Sequence, residues 1–262
     1  MSLFAAGDVA AFRAGTFAAA QTTYLSGVTF TDAFLLGQIQ AAEQDVSSQL
    51  KVLLEPTVIF PYVPTDAEIA ALSGKPWRDE PGYDYDPEFF RNERWGYIVS
   101  RQQPIISIEY IQFAYPSPQN LVYKIPSDWL RVDRKYGHIR MVPASSTFVA
   151  PLGAFLMQAL GGGSNIPSMI QMKYTAGLNG KNDVLWPLIQ DVIYKMAVLK
   201  IMQGAMIPGS VSISADGLSQ SLSTKIDDYQ AVIDRTLFGP KGSNGGLWTT
   251  VHGFGGGVLG VV

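Results

Sequence analysis

Residues 208–238 read PGSVSISADGLSQSLSTKIDDYQAVIDRTLF, and the rest of the chain is organised around this stretch. Two short alternating runs, SVSIS and LSQSLS, flank Asp216-Gly217. A tight primed turn needs positive φ at its centre, which Asp-Gly tolerates, so the pair predicts a β-hairpin. Serines 210, 212 and 214 alternate with Val211 and Ile213; serines 219, 221 and 223 alternate with Leu218, Gln220 and Leu222. A two-stranded ribbon with so sparse an apolar face buries too little to stand alone. It calls for a neighbour, in this chain or in another subunit. Nothing in it carries chemistry, and it reads as an assembly part, with Val211, Ile213, Asp216, Gly217, Leu218 and Leu222 as candidate inter-subunit residues.

Helices are expected on both sides. After the ribbon, Ile226, Tyr229, Ile233 and Leu237 are in register over 224–238, and Gly239-Pro240 terminates the run. Before it, residues 183–203 carry Leu185, Ile189, Val192, Met196, Leu199 and Met202 at helical spacing. Asp183 or Trp186 suits the cap, Pro187 fits a first turn, and Gly204 and Pro208 stop the helix. The clearest helix is 31–55, striped by Leu35, Ile39, Ala42, Val46, Leu50 and Leu53 and ended by Pro56. Thr31 is its expected N-cap, Asp32 suits the positive end of the dipole, and Gln38, Glu43, Gln44, Ser47 and Lys51 form the opposite, polar face. Residues 1–30 read as an N-terminal arm with one short helix over 8–20.

Between the first two long helices the pattern changes. Six prolines among many aromatics in 56–100 forbid long regular elements, leaving an extended, aromatic-anchored excursion. Thr65 with Glu68 resembles a capping box for a short helix through Leu72, ended by Gly74. From 104 the period becomes two: Ile106, Ile108 and Tyr110 alternate with Ser107 and Glu109. Residues 123–143 predict two strands around a turn at Lys135–Gly137, and Gly161–Gly163 a loop. IPSMIQMKYTAG adds a strand with Ile170, Met172 and Tyr174 on one face. A small antiparallel sheet or barrel is the economical answer.

The expected class is therefore α+β: a helical bundle core with an inserted β-rich domain and a glycine-rich C-terminal arm. The expected divisions are 1–56 (arm and first core helix), 57–175 (Pro/aromatic-rich and β-rich insertion), 176–238 (core helices and hairpin) and 239–262 (extended arm). The last segment is too glycine-rich for an independent domain. Its Leu247, Trp248, Phe254, Val258 and Leu259, with Val261 and Val262, favour an arm that orders against a partner over an unbound tail.

Composition removes several functions. The 262 residues are 47% hydrophobic, ample for a core, and only 16% charged, with a formal net charge of −3. The sequence is read as holding no Lys/Arg cluster, which argues against a tight grip on nucleic acid. Cysteine is absent, excluding disulfides, thiolate metal sites and thiol catalysis. The N-terminus lacks the pattern of a signal peptide, and no run reaches the ~18 apolar residues of a membrane span.

Candidate chemistry is thin. His138 follows a turn glycine and His252 sits in the glycine-rich tail; neither has a partner at metal spacing. Asp84-Tyr85-Asp86-Pro87-Glu88 imitates the alternating acids of a calcium loop, but Phe89 stands where glycine is needed. A solvated or salt-bridging loop, pairing with Arg78, Arg91, Arg94 or Arg101, is the plainer reading. Trp77, Tyr83, Tyr85, Phe89, Phe90, Trp95 and Tyr97 can stack sugars or bases, or simply anchor an irregular segment. The Gly161–Gly163 run lacks the Lys-Ser/Thr of a phosphate loop, and no Gly-x-Ser-x-Gly elbow occurs. No catalytic residue, metal site or cofactor is expected.

Three segments in this order resemble the bacteriophage head–tail connector (neck adaptor) family: TDAFLLGQIQAAEQDVSSQL, then KYTAGLNGKNDVLWPLIQDVIYKMAVLKIMQG, then SISADGLSQSLS with its following helix. The second is similar to the family's Tyr-x-Ala-Gly strand end, loop, proline and central helix, here Tyr174, Ala176, Gly177 and Pro187. IPSDWLRVDRKYGHIRMVP resembles inserted domains of larger members, with Gln103 instead of Arg before Pro104. The resemblance covers 31–55 and 170–238 well and the β block loosely. It implies a non-enzymatic structural protein of the virion neck, assembled in the host cytoplasm as a homo-oligomeric, dodecameric ring. Its implied partners are further copies of itself, the portal protein and tail or tail-terminator (stopper) proteins, with no membrane. Double-stranded DNA would pass through the ring at ejection without sequence-specific binding, and the C-terminal segment would reach the portal. Two other readings stay open: a carbohydrate- or ligand-binding module or hydrolase using 77–101, and a tail-completion or minor capsid protein.

Overall fold

The computed structural model describes residues 2–25, 28–86, 88, 96–116, 119–142, 165–204, 210–215, 218–223, 226–240 and 245–252. The expected glycine loop at 161–163 lies outside them. Helices and strands are both present, making the protein α+β. The chain divides into two compact units, one from Met1–Lys51 with Gly180–Val262 and one from Val52–Asn179.

The first unit contains α1 (Asp8–Ala14), α2 (Thr16–Tyr24) and α3 (Asp32–Leu50); α4 (Asp66–Ala71) belongs to the second. Three later helices complete it: α5 (Trp186–Gly204), α6 (Ile226–Phe238) and α7 (Gly246–His252). In α3 the Thr31 hydroxyl accepts the Phe34 amide at 3.3 Å, as its capping position requires. Leu35, Ile39, Ala42, Val46 and Leu50 are buried. The helix does not run to 55. Lys51 turns left-handed at φ 50°, and its amide closes onto the Ser47 and Ser48 carbonyls. Glu43 also departs from the expected polar face: it is 6% exposed, because the N-terminal segment lies over it. Its carboxylate accepts the Ser2 hydroxyl and, at 2.9 Å, the Leu3 amide.

That N-terminal segment is anchored. Phe4 packs against Trp186 and Tyr194 with ring centroids 5.5 and 5.7 Å apart, and Phe12 lies 5.3 Å from Phe17 and 5.2 Å from Tyr194. Phe4, Phe12 and Phe17 are at most 2% exposed, and such burial contributes about 1.5–3 kcal/mol each. Two helices replace the single one expected over 8–20, since Gly15 breaks the run with φ −103° and ψ −112°. Asp8 is paired with Lys181 at 3.0 Å. Burial works against its charge, but the Ala5 amide and Lys181 outweigh it and hold its carboxyl below the usual range.

The helix α5 packs against α2, α3 and α6. Ile189, Val192, Met196, Leu199 and Met202 of the expected stripe are buried, but so are Trp186, Ile193, Tyr194, Ala197, Val198 and Ile201. This helix is enclosed on most of its circumference, which a single stripe does not anticipate. Its approach is set by Asp183, whose carboxylate accepts the Leu185 amide at 2.9 Å.

The second unit is built on the sheet order β2-β1-β9-β5-β6, with β3 also paired to β9. The strands are β1 (Thr57–Phe60), β2 (Trp77–Asp79), β3 (Tyr83–Tyr85), β4 (Ile98–Val99), β5 (Ile105–Pro116) and β6 (Gln119–Lys124). β7 (Leu130–Asp133), β8 (His138–Met141) and β9 (Ile166–Ala176) follow. The sheet is mixed, not purely antiparallel, because β1 and β2 run parallel. β4, β8 and β7 form a separate three-stranded sheet, with the turn between β7 and β8 at its expected place. Along β5, Ser107 and Glu109 are exposed while Ile106, Ile108 and Tyr110 are half-buried; register shifts then bring Ile111 to full burial out of phase. Ile59, Ile111, Ile139, Ile170, Met172 and Tyr174 join in one core.

Gly177 ends β9 with φ +118°, and a Cβ there would meet the Glu55 and Leu53 carbonyls at 2.6 and 2.8 Å. Its amide donates to Pro104 O at 2.9 Å, and the next amide to Leu53 O at 2.8 Å, so only glycine lets three segments converge. The capping box of α4 is complete: Thr65 Oγ1 accepts the Glu68 amide, and Glu68 Oε2 accepts the Thr65 amide at 2.9 Å. The Thr65 amide, then the Tyr62 and Thr65 hydroxyls, hold the Glu68 carboxyl below its ordinary range.

Candidate functional site

The ribbon of β10 (Ser210–Ala215) and β11 (Leu218–Ser223) forms between α5 and α6. Its antiparallel register runs from Ser210↔Ser223 through Val211↔Leu222 and Ile213↔Gln220 to Ala215↔Leu218. Serine meets serine at three of the six pairs. Positions two apart share a face. Ladder positions 211, 213, 218 and 222 thus fall on one face, and the six serine positions on the other. β10 and β11 form a two-stranded sheet of their own, separate from both sheets of the second unit. Asp216 and Gly217 lie outside the described residues.

The C-terminal segment departs from an extended arm over 246–252, which is α7. Leu247 and Val251 are buried four residues apart on one face, and α7 packs on α6 and α3. His252 Nε2 lies 2.6 Å from the Leu50 carbonyl, and its ring is 4.4 Å from Trp248. Trp248 also lies 6.3 Å from Phe238, with the Lys51 ammonium over its ring at 5.9 Å. Gly246 permits this docking: at φ +88°, a Cβ there would meet Gly239 N at 2.5 Å and Leu237 O at 2.8 Å. Leu247 is thus covered within its own chain, and Trp248 half-covered; Phe254, Val258 and Leu259 lie outside the described residues.

The aromatic–acidic stretch enters the sheet as β2 and β3. Glu80, 9% exposed, accepts the Gln102 side-chain amide at 2.8 Å and the Tyr174 hydroxyl at 3.1 Å. The Gln102 backbone amide in turn donates to the Tyr174 oxygen at 3.2 Å. Burial first, then neighbouring Tyr83 and Glu80, pushes the Tyr174 phenol far up, so it remains a neutral donor. This cluster ties the β2–β3 connection to the β4–β5 loop and β9. Asp84 accepts the Ser168 amide at 2.9 Å, and Asp86 the Glu88 amide at 2.8 Å. Arg101 does not answer these acids. It donates to the Pro81 and Gly82 carbonyls and lies 4.3 Å above the Tyr83 ring. Phe89, Phe90, Arg91, Arg94 and Trp95 lie outside the described residues.

A cleft of about 340 Å³ opens elsewhere in the second unit, lined by Ile105, Ser107, Ile108, Ser127, Leu130, Val132 and Arg134. It draws on no residue of 77–101. Among the described residues no group of three His, Asp or Glu is placed to hold a metal ion, and no helix is long and apolar enough to cross a membrane.

No protein-family model and no curated protein matches the chain. Solved structures do match. Among them is the neck of an empty GTA particle computed with C6 symmetry, 15% identical, covering 79% of this chain and 82% of that chain at a TM-score of 0.36. At that score the similarity decides nothing about this chain's function.

One surface was missed from sequence. The expectation that the chain holds no Lys/Arg cluster is corrected here, because the hairpin β7–β8 gathers one. Arg131 and Arg140 are direct register partners, and Arg134 and Lys135 lie in the turn between the strands. All four are exposed. The run RVDRKYGHIR carried the signal, diluted by a net charge of −3 over the whole chain. His138 lies on the same sheet, its ring 5.4 Å from Tyr97 and 6.1 Å from Tyr136.

Proposed function

We propose that this chain is a structural protein of a virion neck. In this reading it assembles into a dodecameric head–tail connector ring between portal and tail or stopper proteins, and conducts double-stranded DNA without reading its sequence. It is not an enzyme, and it joins the particle in the host cytoplasm. The helices of the first unit are the bundle core that builds the ring, and Val52–Asn179 is the inserted β-rich domain.

The observation that carries this reading is the ribbon. A sheet of two six-residue strands, paired only to each other among the described residues, is marginal in water. It has one face of serine positions and one bearing Val211, Ile213, Leu218 and Leu222, which suits burial against a neighbouring subunit. The order of the three segments resembling connector proteins supports the same reading. A net charge of −3 repeated around a ring disfavours retention of phosphate. Phe254, Val258 and Leu259, with the exposed side of Trp248, are assigned to portal contact; Leu247 holds α7 in place.

Negative-stain imaging of the purified protein, alone and mixed with its portal, tests this. Rings beside portal are expected. Dispersed single chains under both conditions would contradict the proposal.

A further inference from the structure

The three-stranded sheet β4-β8-β7 has an inner side that feeds the core, through Ile98, Ile139 and Met141, and an outer side with a different character. On the outer side Arg131 opposes Arg140 and Asp133 opposes His138. Arg140 lies 5.8 Å from the Tyr97 ring, and Lys135 5.8 Å from the Tyr136 ring. Arg131 donates to the Asp128 carbonyl at 2.6 Å, which fixes its guanidinium at the base of the hairpin. Like charges directly opposite on neighbouring strands are destabilising. Two arginines held so, flanked by Arg134 and Lys135, form a surface that an incoming carboxylate would relieve.

The composition says what class of partner fits. Arginine and tyrosine are the residues enriched at the centres of protein–protein contacts. A duplex is a poorer match, since tight binding draws on many phosphate contacts and this face offers four cations interrupted by Asp133. The same chain supplies a complementary surface. β2 is the outermost strand of its sheet, and all three of its residues are exposed. It carries Asp79 beside Arg78, and Asp84 and Asp86 follow on β3 and just beyond it.

We infer that the basic, tyrosine-bearing outer face of β4-β8-β7 receives the acidic β2–β3 edge of a second copy of this chain. The inference rests on the reading that the chain assembles with itself. Two different patches meet in such a contact, so it is heterologous and propagates around a ring instead of closing as a two-fold dimer. Being rich in exposed charge, it weakens as salt screens it.

The test is charge reversal with complementation, read by sedimentation of the full chain at low and high salt, alone and beside portal. Arg131→Glu with Arg140→Glu reverses the face; Asp79→Lys with Asp86→Lys reverses the edge. Each double variant alone is expected to associate at least about tenfold more weakly than wild type, with an unchanged thermal midpoint. An equimolar mixture restores association, because every contact again joins opposite charges. If wild type assembles and either variant assembles equally well, or the mixture restores nothing, this inference falls and the ring reading stands. If wild type assembles neither alone nor beside portal, the ring reading itself falls. Binding of a DNA duplex that R131E/R140E abolishes, with assembly intact, would give the face to nucleic acid and overturn the inference.

Discussion

Two strand systems in this molecule differ in how completely they are surrounded. β9 pairs with β1, β3 and β5, and its run Met169–Met172 is buried on both faces. Among the described residues, β10 and β11 pair only with one another. The first is a strand whose stability comes from its own domain. The second is regular in register yet lacks the third strand that gives a ribbon independent stability. Regular hydrogen bonding alone does not make a ribbon independently stable; it also needs further strands or packing partners.

The contrast is broken most sharply at β9. Ile170→Ala removes a side chain with no exposure and is expected to lower unfolding free energy by about 2–5 kcal/mol, measured by urea denaturation. Gly246→Ala comes next. It forces a Cβ into the Gly239 amide at positive φ and should detach α7, at a cost of about 1–3 kcal/mol, with Trp248 fluorescence reporting the loss. Thr31→Ala removes the α3 cap for about 1 kcal/mol. Acid adds a smaller increment. Glu68 and Asp8 have depressed folded values, so their contribution is present above the usual carboxylate range and is lost as pH falls through the folded values. Glu68→Gln should flatten that acid limb in a series of denaturation midpoints against pH. The smallest effect on the isolated chain belongs to the ribbon. Val211→Asp with Leu218→Asp, which are not register partners, should shift unfolding by no more than about 0.5 kcal/mol.

Much of the helical unit was legible. The α3 stripe and its Thr31 cap follow from spacing and capping chemistry, and in the second unit the α4 capping box does too. The end of α3 was not, because Leu53 continues the apolar period although Lys51 has already turned left-handed. β1 was hidden for a different reason: Thr57–Phe60 is buried at every position and sits between two prolines, so it shows no alternation. Glu43 looked like a surface residue because its partners, Ser2 and Leu3, are remote in sequence. α7 left a trace in the four-residue spacing of Leu247 and Val251, masked by the surrounding glycines. The ribbon was legible from Asp-Gly and alternation, whereas the basic face of β7–β8 needed the register that places Arg131 against Arg140.

On the proposed reading, a neighbouring subunit completes the ribbon. The decisive measurement is negative-stain imaging of the Val211→Asp, Leu218→Asp variant beside portal, with wild type in parallel and circular dichroism on both. Rings are expected from wild type, and none from a variant that keeps wild-type helicity and melting. Rings from the folded variant, as abundant as those from wild type, would contradict that reading.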